Sequence, residues 1–263
     1  FEFRVRDSVQ QPVFDITDAK GRVSREEDGI LVSVAGTGAG AGLPGGLAAT
    51  VRSYTLEDKL HAEFAVADWP LADLAARFAG PLGPGVSWDF PDAPSQPVSC
   101  NGGFVMPSWF DLGAIPLVPG GPHDEASFSA AVQSVHRMLD AQVQKGTPSE
   151  KIVVGGFSQG GALALRSALH YPRKLGGCVV FSGWAPGAEE LQEGLRPENK
   201  ATDVFWGHGV SDPVVRFACA EAGDALLSEM GVPCRLRAYP GMEHSACPEE
   251  LDDLQDFLRE RLL

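Results

Sequence analysis

The sequence predicts an α/β fold, a mostly parallel central sheet with helices on both faces. Three observations carry this. From about residue 86 onward, short apolar runs alternate with helix-length amphipathic runs, the pattern of βαβ units. A length of 263 residues with 44% hydrophobic content is enough for one large domain with a full core. One apolar run, Ile152–Val154, leads into a Gly-x-Ser-x-Gly turn that opens onto a helical pattern.

The elements follow in order. Val86-Ser87-Trp88-Asp89-Phe90 reads as a strand stopped by Pro91. Glu125 to Lys145 reads as a helix with Ala130, Val132, Val135, Met138, Leu139 and Val143 near one side. Strands are expected at Ile152–Val154, Gly177–Phe181, Asp203–Trp206 and Cys234–Tyr239. Helices are expected from Gly161 to Tyr171, from Val214 to Met230, and from Pro248 to Leu263. The last is amphipathic, with Leu251, Leu254, Phe257, Leu258 and Leu262 on one face. Residues 1–68 form an atypical N-terminal segment, with a charged patch at Arg22–Asp28, a Gly-rich run and no clear helix. The catalytic region is expected over 69–263.

Lys+Arg 21 against Asp+Glu 35 gives a net charge of -14, which disfavours nucleic acid and anionic membranes as constitutive partners. The five cysteines, Cys100, Cys178, Cys219, Cys234 and Cys247, are odd in number and form no Cys-x-x-Cys pair. Free thiols in a reducing compartment are expected, with Cys178 in the core. The uncharged stretch Gly29–Val51 is broken by seven glycines and Pro44, which argues against a membrane span. No signal peptide is visible, and a cytoplasmic setting is expected.

The chemistry is concentrated at Gly156-Phe157-Ser158-Gln159-Gly160. Glycines on both sides permit a tight strand-to-helix turn that would hold Ser158 at its tip as a nucleophile. The Gln159 N–H would lie at a helix N-terminus, where it can face a developing oxyanion. A serine nucleophile needs a base, and the base an orienting carboxylate, in the chain order Ser, Asp, His. Asp212 follows the strand ending at Trp206, and His244 follows the strand ending at Tyr239; each interval leaves room for one strand–helix unit. Asp212 could equally cap the helix after it, with Pro213 opening that helix. His208 precedes Asp212 and breaks the chain order. His61, His123, His136 and His170 follow no strand of the core sheet. There is no His-Glu-x-x-His and no Cys/His cluster, so neither a metal nor another cofactor is expected. Gly36–Gly40 lacks the Gly-x-Gly-x-x-Gly spacing of a dinucleotide loop.

Several ordered blocks carry a resemblance. Phe90-Pro91-Asp92-Ala93-Pro94 with Pro97-Val98, Met106-Pro107-Ser108-Trp109-Phe110-Asp111, Gly155 to Ala162 (GGFSQGGA), Phe181-Ser182-Gly183-Trp184-Ala185-Pro186, Gly207-His208-Gly209 with Asp212 to Val215, and Tyr239 to Ser245 are all similar to motifs of one family. Over roughly residues 69–263 the chain resembles the acyl-protein thioesterase, lysophospholipase and carboxylesterase group of α/β-hydrolases. The resemblance implies Ser158 as nucleophile, His244 as base, Asp212 as orienting acid and the Gln159 N–H as an oxyanion donor. It also implies an apolar acyl channel, for which Leu117, Val118 and Trp184 are candidates. Core packing is the competing reading of these three.

One departure stands out. The family's His-Gly-Leu-Gly-Asp loop, which supplies the second oxyanion donor, has no counterpart here. Either Ile30–Ala35 is the early strand and Gly36–Gly40 the loop, with Thr37 as donor, or His61–Ala65 takes that place. The first is favoured, because glycines free backbone N–H groups and Glu63 would set a negative charge near an oxyanion. The expected activity is hydrolysis of fatty-acyl thioesters or carboxylic esters. Acylated proteins, lysophospholipids or small esters are the expected substrates, with transient membrane contact. A short-chain carboxylesterase and a catalytically impaired acyl-binding protein are the alternatives.

Overall fold

The computed structural model describes residues 3–6, 13–16, 22–26, 29–34, 49–52, 78, 82 and 86–263. It divides into two units, Phe1–Leu74 and Ala75–Leu263. In the first, β1 (Phe3–Arg6) pairs antiparallel with β2 (Val13–Ile16). In the same unit β3 (Arg22–Glu26), β4 (Gly29–Val34) and β5 (Ala49–Arg52) make an antiparallel sheet with β4 in the middle. Of the early strand expected at Ile30–Ala35, residues 30–34 lie in β4, whose described partners β3 and β5 are antiparallel. Gly36–Gly40 with Thr37, and His61–Ala65, lie outside the described residues.

The second unit holds the parallel sheet. Its order is β11 (Cys234–Tyr239), β10 (Val204–Gly209), β9 (Gly177–Phe181), β8 (Val153–Phe157), and every pairing is parallel. Side chains alternate across β10. Phe205 packs on Phe257 of α5 (Pro248–Leu262), with ring centroids 5.7 Å apart. Trp206 packs on the opposite face, against Gly223 of α4 (Phe217–Met230), where an added Cβ would stand 2.3 Å from the indole. The main core joins Trp206, Val180 and Cys178 to Leu165, Ala168 and Leu169 of α2 (Gln159–His170) and to Leu139 of α1 (Glu125–Gln144). This is the expected architecture, with helices on both faces of a parallel sheet.

Some expected elements differ. Residues 86–90 form no strand and pair with none among the described residues. Pro91 and Pro94 remove ladder donors, and the segment is held by stacking of Trp88 between Phe78 and Phe90 at 5.8 and 6.0 Å. The next block forms a hairpin, β6 (Ser95–Val98) and β7 (Phe104–Pro107), turned by Gly102 and Gly103 at φ 62° and 80°. On α1 the buried face is Phe128, Ala131, Val132 and Leu139, while Ala130 is exposed. Helix α4 starts at Phe217, not Val214. Leu117 bridges Val215, its N–H donating to the Val214 carbonyl at 2.8 Å and its carbonyl accepting from the Arg216 N–H at 3.2 Å, and this commits 214–216 to the bridge before the helix begins. A short helix, α3 (Ala188–Glu193), was not expected. All five cysteines are free, and Cys178 is fully buried.

Candidate active site

Ser158 stands between β8 and α2. Its φ of 54° and ψ of -117° lie in a region that costs an ordinary residue of order 1–3 kcal/mol. The surroundings hold that conformation in place. The Ser158 N–H donates to the Phe181 carbonyl at 2.7 Å, and the Ser158 carbonyl accepts from Ala162 N at 3.1 Å. Gly156 is required by close approach, since a Cβ there would lie 2.3 Å from the backbone of Gly160. Gln159 is the first residue of α2, so its N–H belongs to the open end of the helix. Its side chain is also committed. Oε1 accepts the Trp109 N–H at 2.8 Å, and Nε2 donates to the Ser108 hydroxyl at 2.9 Å and the Phe110 carbonyl at 2.7 Å. The segment 108–110 is thereby fastened beside Ser158.

Asp212 and His244 follow the C-terminal ends of β10 and β11, on the same edge of the sheet as Ser158. The two loops close on each other through the Ser211 N–H, which donates to the Met242 carbonyl at 3.0 Å. Gly209 allows this, because a Cβ would meet the Met242 and Glu243 carbonyls at 2.3 and 2.4 Å. His244 Nδ1 is 2.7 Å from Asp212 Oδ2. The His244 ring lies against Phe157, the neighbour of Ser158, with centroids 4.7 Å apart. Asp212 does not cap α4, whose N-cap is Arg216. Its Oδ1 accepts the N–H groups of Val214 and Val215 at 2.8 and 2.9 Å and so holds the turn before that helix. Burial pushes the Asp212 carboxyl up. The imidazoles of His208 and His244 and the Val215 N–H outweigh it and hold the group well below the usual carboxylate range.

His208 breaks the Ser–Asp–His chain order, yet it stands against Asp212. It is fully buried at the end of β10, with Nε2 2.9 Å from the Val215 carbonyl and 3.4 Å from Asp212 Oδ2. Its place two residues beyond Trp206 on a strand that ends at the site was the signal available.

Trp184 packs edge-on to Phe110 at 6.0 Å, within a cluster of Phe110, Phe128, Ala162 and Leu163. Leu117 is half-buried and reaches the site region through its backbone bridge to Val215, whereas Val118 is more than half exposed. His123, Glu125 and Glu190 bring potential metal-ligating atoms within 4.8 Å of one another. Both Glu125 oxygens already pair with the Arg166 guanidinium, at 2.6 and 2.7 Å, and that cation competes with any metal.

A serine on a strained turn, with a histidine oriented by a buried carboxylate on the adjoining loops, is equipped for nucleophilic acyl transfer. Comparisons with known proteins give the family. Residues 81–262 match the model of the Phospholipase/Carboxylesterase family. The chain belongs to that family. Membership marks it as an α/β-hydrolase of the carboxylesterase and thioesterase type. It is 47% identical over 175 residues to a protein of Oryza sativa subsp. japonica named "Probable carboxylesterase Os04g0669500", a match spanning 66% of each chain. It is 38% identical to acyl-protein thioesterase 1 of Cryptococcus neoformans, over 68% of this chain and 81% of that one. A crystal structure of a point variant of Arabidopsis thaliana SOBER1 superposes with a TM-score of 0.72 at 40% identity. It covers 75% of this chain and 95% of that one.

Proposed function

We propose that this family member hydrolyses fatty-acyl thioesters and carboxylic esters through an acyl-enzyme on Ser158. His244 takes the Ser158 proton as the hydroxyl oxygen attacks the acyl carbonyl. Asp212 fixes the imidazole with Nδ1–H toward itself and stabilises the imidazolium that forms. The Gln159 N–H faces the developing oxyanion. His244 then protonates the departing thiol or alcohol. Water, deprotonated by the same imidazole, cleaves the acyl-enzyme and returns the proton to Ser158. The observation that carries this reading is the His244 ring, aligned by Asp212 at 2.7 Å and packed at a tilt against Phe157, the residue next to Ser158.

The fatty-acyl preference is supported by the acyl-protein thioesterase name of one relative, with half-buried Trp184, packed on the core residues Phe110 and Phe128, as the apolar side chain nearest to hand. Acylated proteins or lysophospholipids fit this reading. Transient membrane contact would bring such substrates to a protein in which, among the described residues, no helix is long and apolar enough to cross a membrane. A cytoplasmic setting is part of the proposal.

The test is a chain-length series of p-nitrophenyl esters and matched acyl thioesters. kcat/KM should rise from acetyl to octanoyl, since each buried methylene can contribute about 0.8 kcal/mol. A flat series with turnover would favour a short-chain esterase. A stoichiometric burst with no turnover would favour an acyl-binding protein.

A further inference from the structure

We propose that His208 is a positioning residue of this site, fixing Asp212 by donating its Nε2–H jointly to the Val215 carbonyl and to Asp212 Oδ2. The inference rests on the reading of Ser158, His244 and Asp212 as the reacting set. A carbonyl can only accept, so the 2.9 Å contact to Val215 assigns the proton to Nε2. The same N–H lies 3.4 Å from Asp212 Oδ2, a longer contact in which the carboxylate charge matters more than ideal geometry. Asp212 is then held by four donors. The Val214 and Val215 N–H groups take Oδ1, and the imidazoles of His244 and His208 take Oδ2. The carboxylate can neither rotate nor withdraw from His244.

The cost of this arrangement argues for a purpose. His208 is wholly buried, edge-on to Phe217 at 5.9 Å, and its Nδ1 is enclosed with no hydrogen-bond partner among the described residues. A buried polar atom without a partner costs about 1–3 kcal/mol. An apolar side chain of similar volume would fill this space without that cost. The polar ring is placed where its one satisfied nitrogen meets both the Val215 carbonyl and the Asp212 charge. The titratable groups facing Asp212 are His208 from β10, His244 from the loop after β11, and Cys219 from α4. Burial first, and the Asp212 charge second, push the Cys219 thiol up to about 11. Cys219 stays neutral across the working range, so the carboxylate charge is divided between the two imidazoles.

The experiment compares His208→Leu, His208→Gln and His208→Asn with the wild type. A glutamine amide reaches the position of Nε2, and an asparagine amide falls short. kcat should fall by roughly 10- to 100-fold in His208→Leu, the size of one lost hydrogen bond to a charged group. KM should stay near the wild-type value. Without the His208 N–H, more of the Asp212 charge acts on His244, so its imidazolium is better stabilised. The acid limb of kcat/KM should then move to higher pH. His208→Gln should restore both kcat and the limb, and His208→Asn should restore neither. If His208→Leu fails to fold, the Gln/Asn contrast carries the same test. Loss of rate with an unmoved limb in every variant would mean that His208 only packs, and wild-type profiles throughout would overturn the proposal equally. Failure of the underlying reading is distinct, because there Ser158→Ala would keep turnover.

Discussion

His244 Nδ1 and Asp212 Oδ2 are 2.7 Å apart, with the Asp212 side chain fully enclosed and that of His244 nearly so. An enclosed carboxylate beside an imidazole is a strong orienting device, because few waters compete for either partner. Asp212→Asn keeps the shape but offers an amide that can hold the wrong tautomer. Its kcat should drop by roughly 10³- to 10⁴-fold, read by initial rates on an acyl thioester, with little change in the circular-dichroism spectrum.

Asp212 also makes stability depend on pH. Its folded-state carboxyl titrates well below the ordinary carboxylate value of 3.8, despite the opposing effect of burial. Its contribution is present above that ordinary range and is lost as pH falls through it toward the depressed folded value. Thermal melts from pH 7 down to pH 3 should show a steeper fall of Tm in the wild type than in Asp212→Asn.

Glu250 behaves with the opposite sign. It is buried under β10, where a Cβ on Gly207 would stand against its carboxyl, and neither oxygen has a well-aligned hydrogen bond among the described residues. Burial pushes it up to about 8, with the Cys247 backbone opposing and Asp253 adding to the shift. The associated stability is fully present below the ordinary value of 4.5 and is lost as pH rises through about 8. Glu250→Gln should therefore match the wild type near pH 4 and exceed it by about 1–3 kcal/mol at pH 9, measured by urea unfolding.

Gly156→Ala should be among the most damaging single-methyl changes. The new Cβ would lie 2.3 Å from Gly160 backbone atoms, which cannot move without unwinding the start of α2. A loss of about 3 kcal/mol in unfolding free energy is expected, together with failure of fluorophosphonate labelling.

Gln159→Ala retains the backbone N–H but frees Ser108, Trp109 and Phe110 from the elbow. Stability should fall by roughly 1–3 kcal/mol. kcat/KM should fall for acetyl and octanoyl substrates alike, because the segment beside Ser158 loses its anchor.

Much of this was legible from residue order. Gly177–Phe181 and Cys234–Tyr239 form strands as expected, because continuous apolar or alternating runs flanked by turns have few other solutions. Ser158, Asp212 and His244 are brought to one sheet edge because each follows a strand of a parallel sheet. What escaped depended on contacts distant in sequence. The start of α4 is delayed by a bridge from Leu117, ninety-odd residues upstream, an effect beyond any local propensity. The β6–β7 hairpin contains Pro97 and has little inward–outward alternation, so it carried no strand pattern. His208 was hidden by a rule of chain order that selects the base but says nothing of what braces the acid.

The central claim is tested most directly by trapping the intermediate. The protein is mixed with octanoyl thioester, quenched in acid within the first turnover, digested and mapped by mass spectrometry. The mass increment of one octanoyl group should sit on Ser158, disappear at long times as product forms, and be absent from Ser158→Ala. An octanoyl adduct on any other residue, or full turnover by Ser158→Ala, would contradict the account.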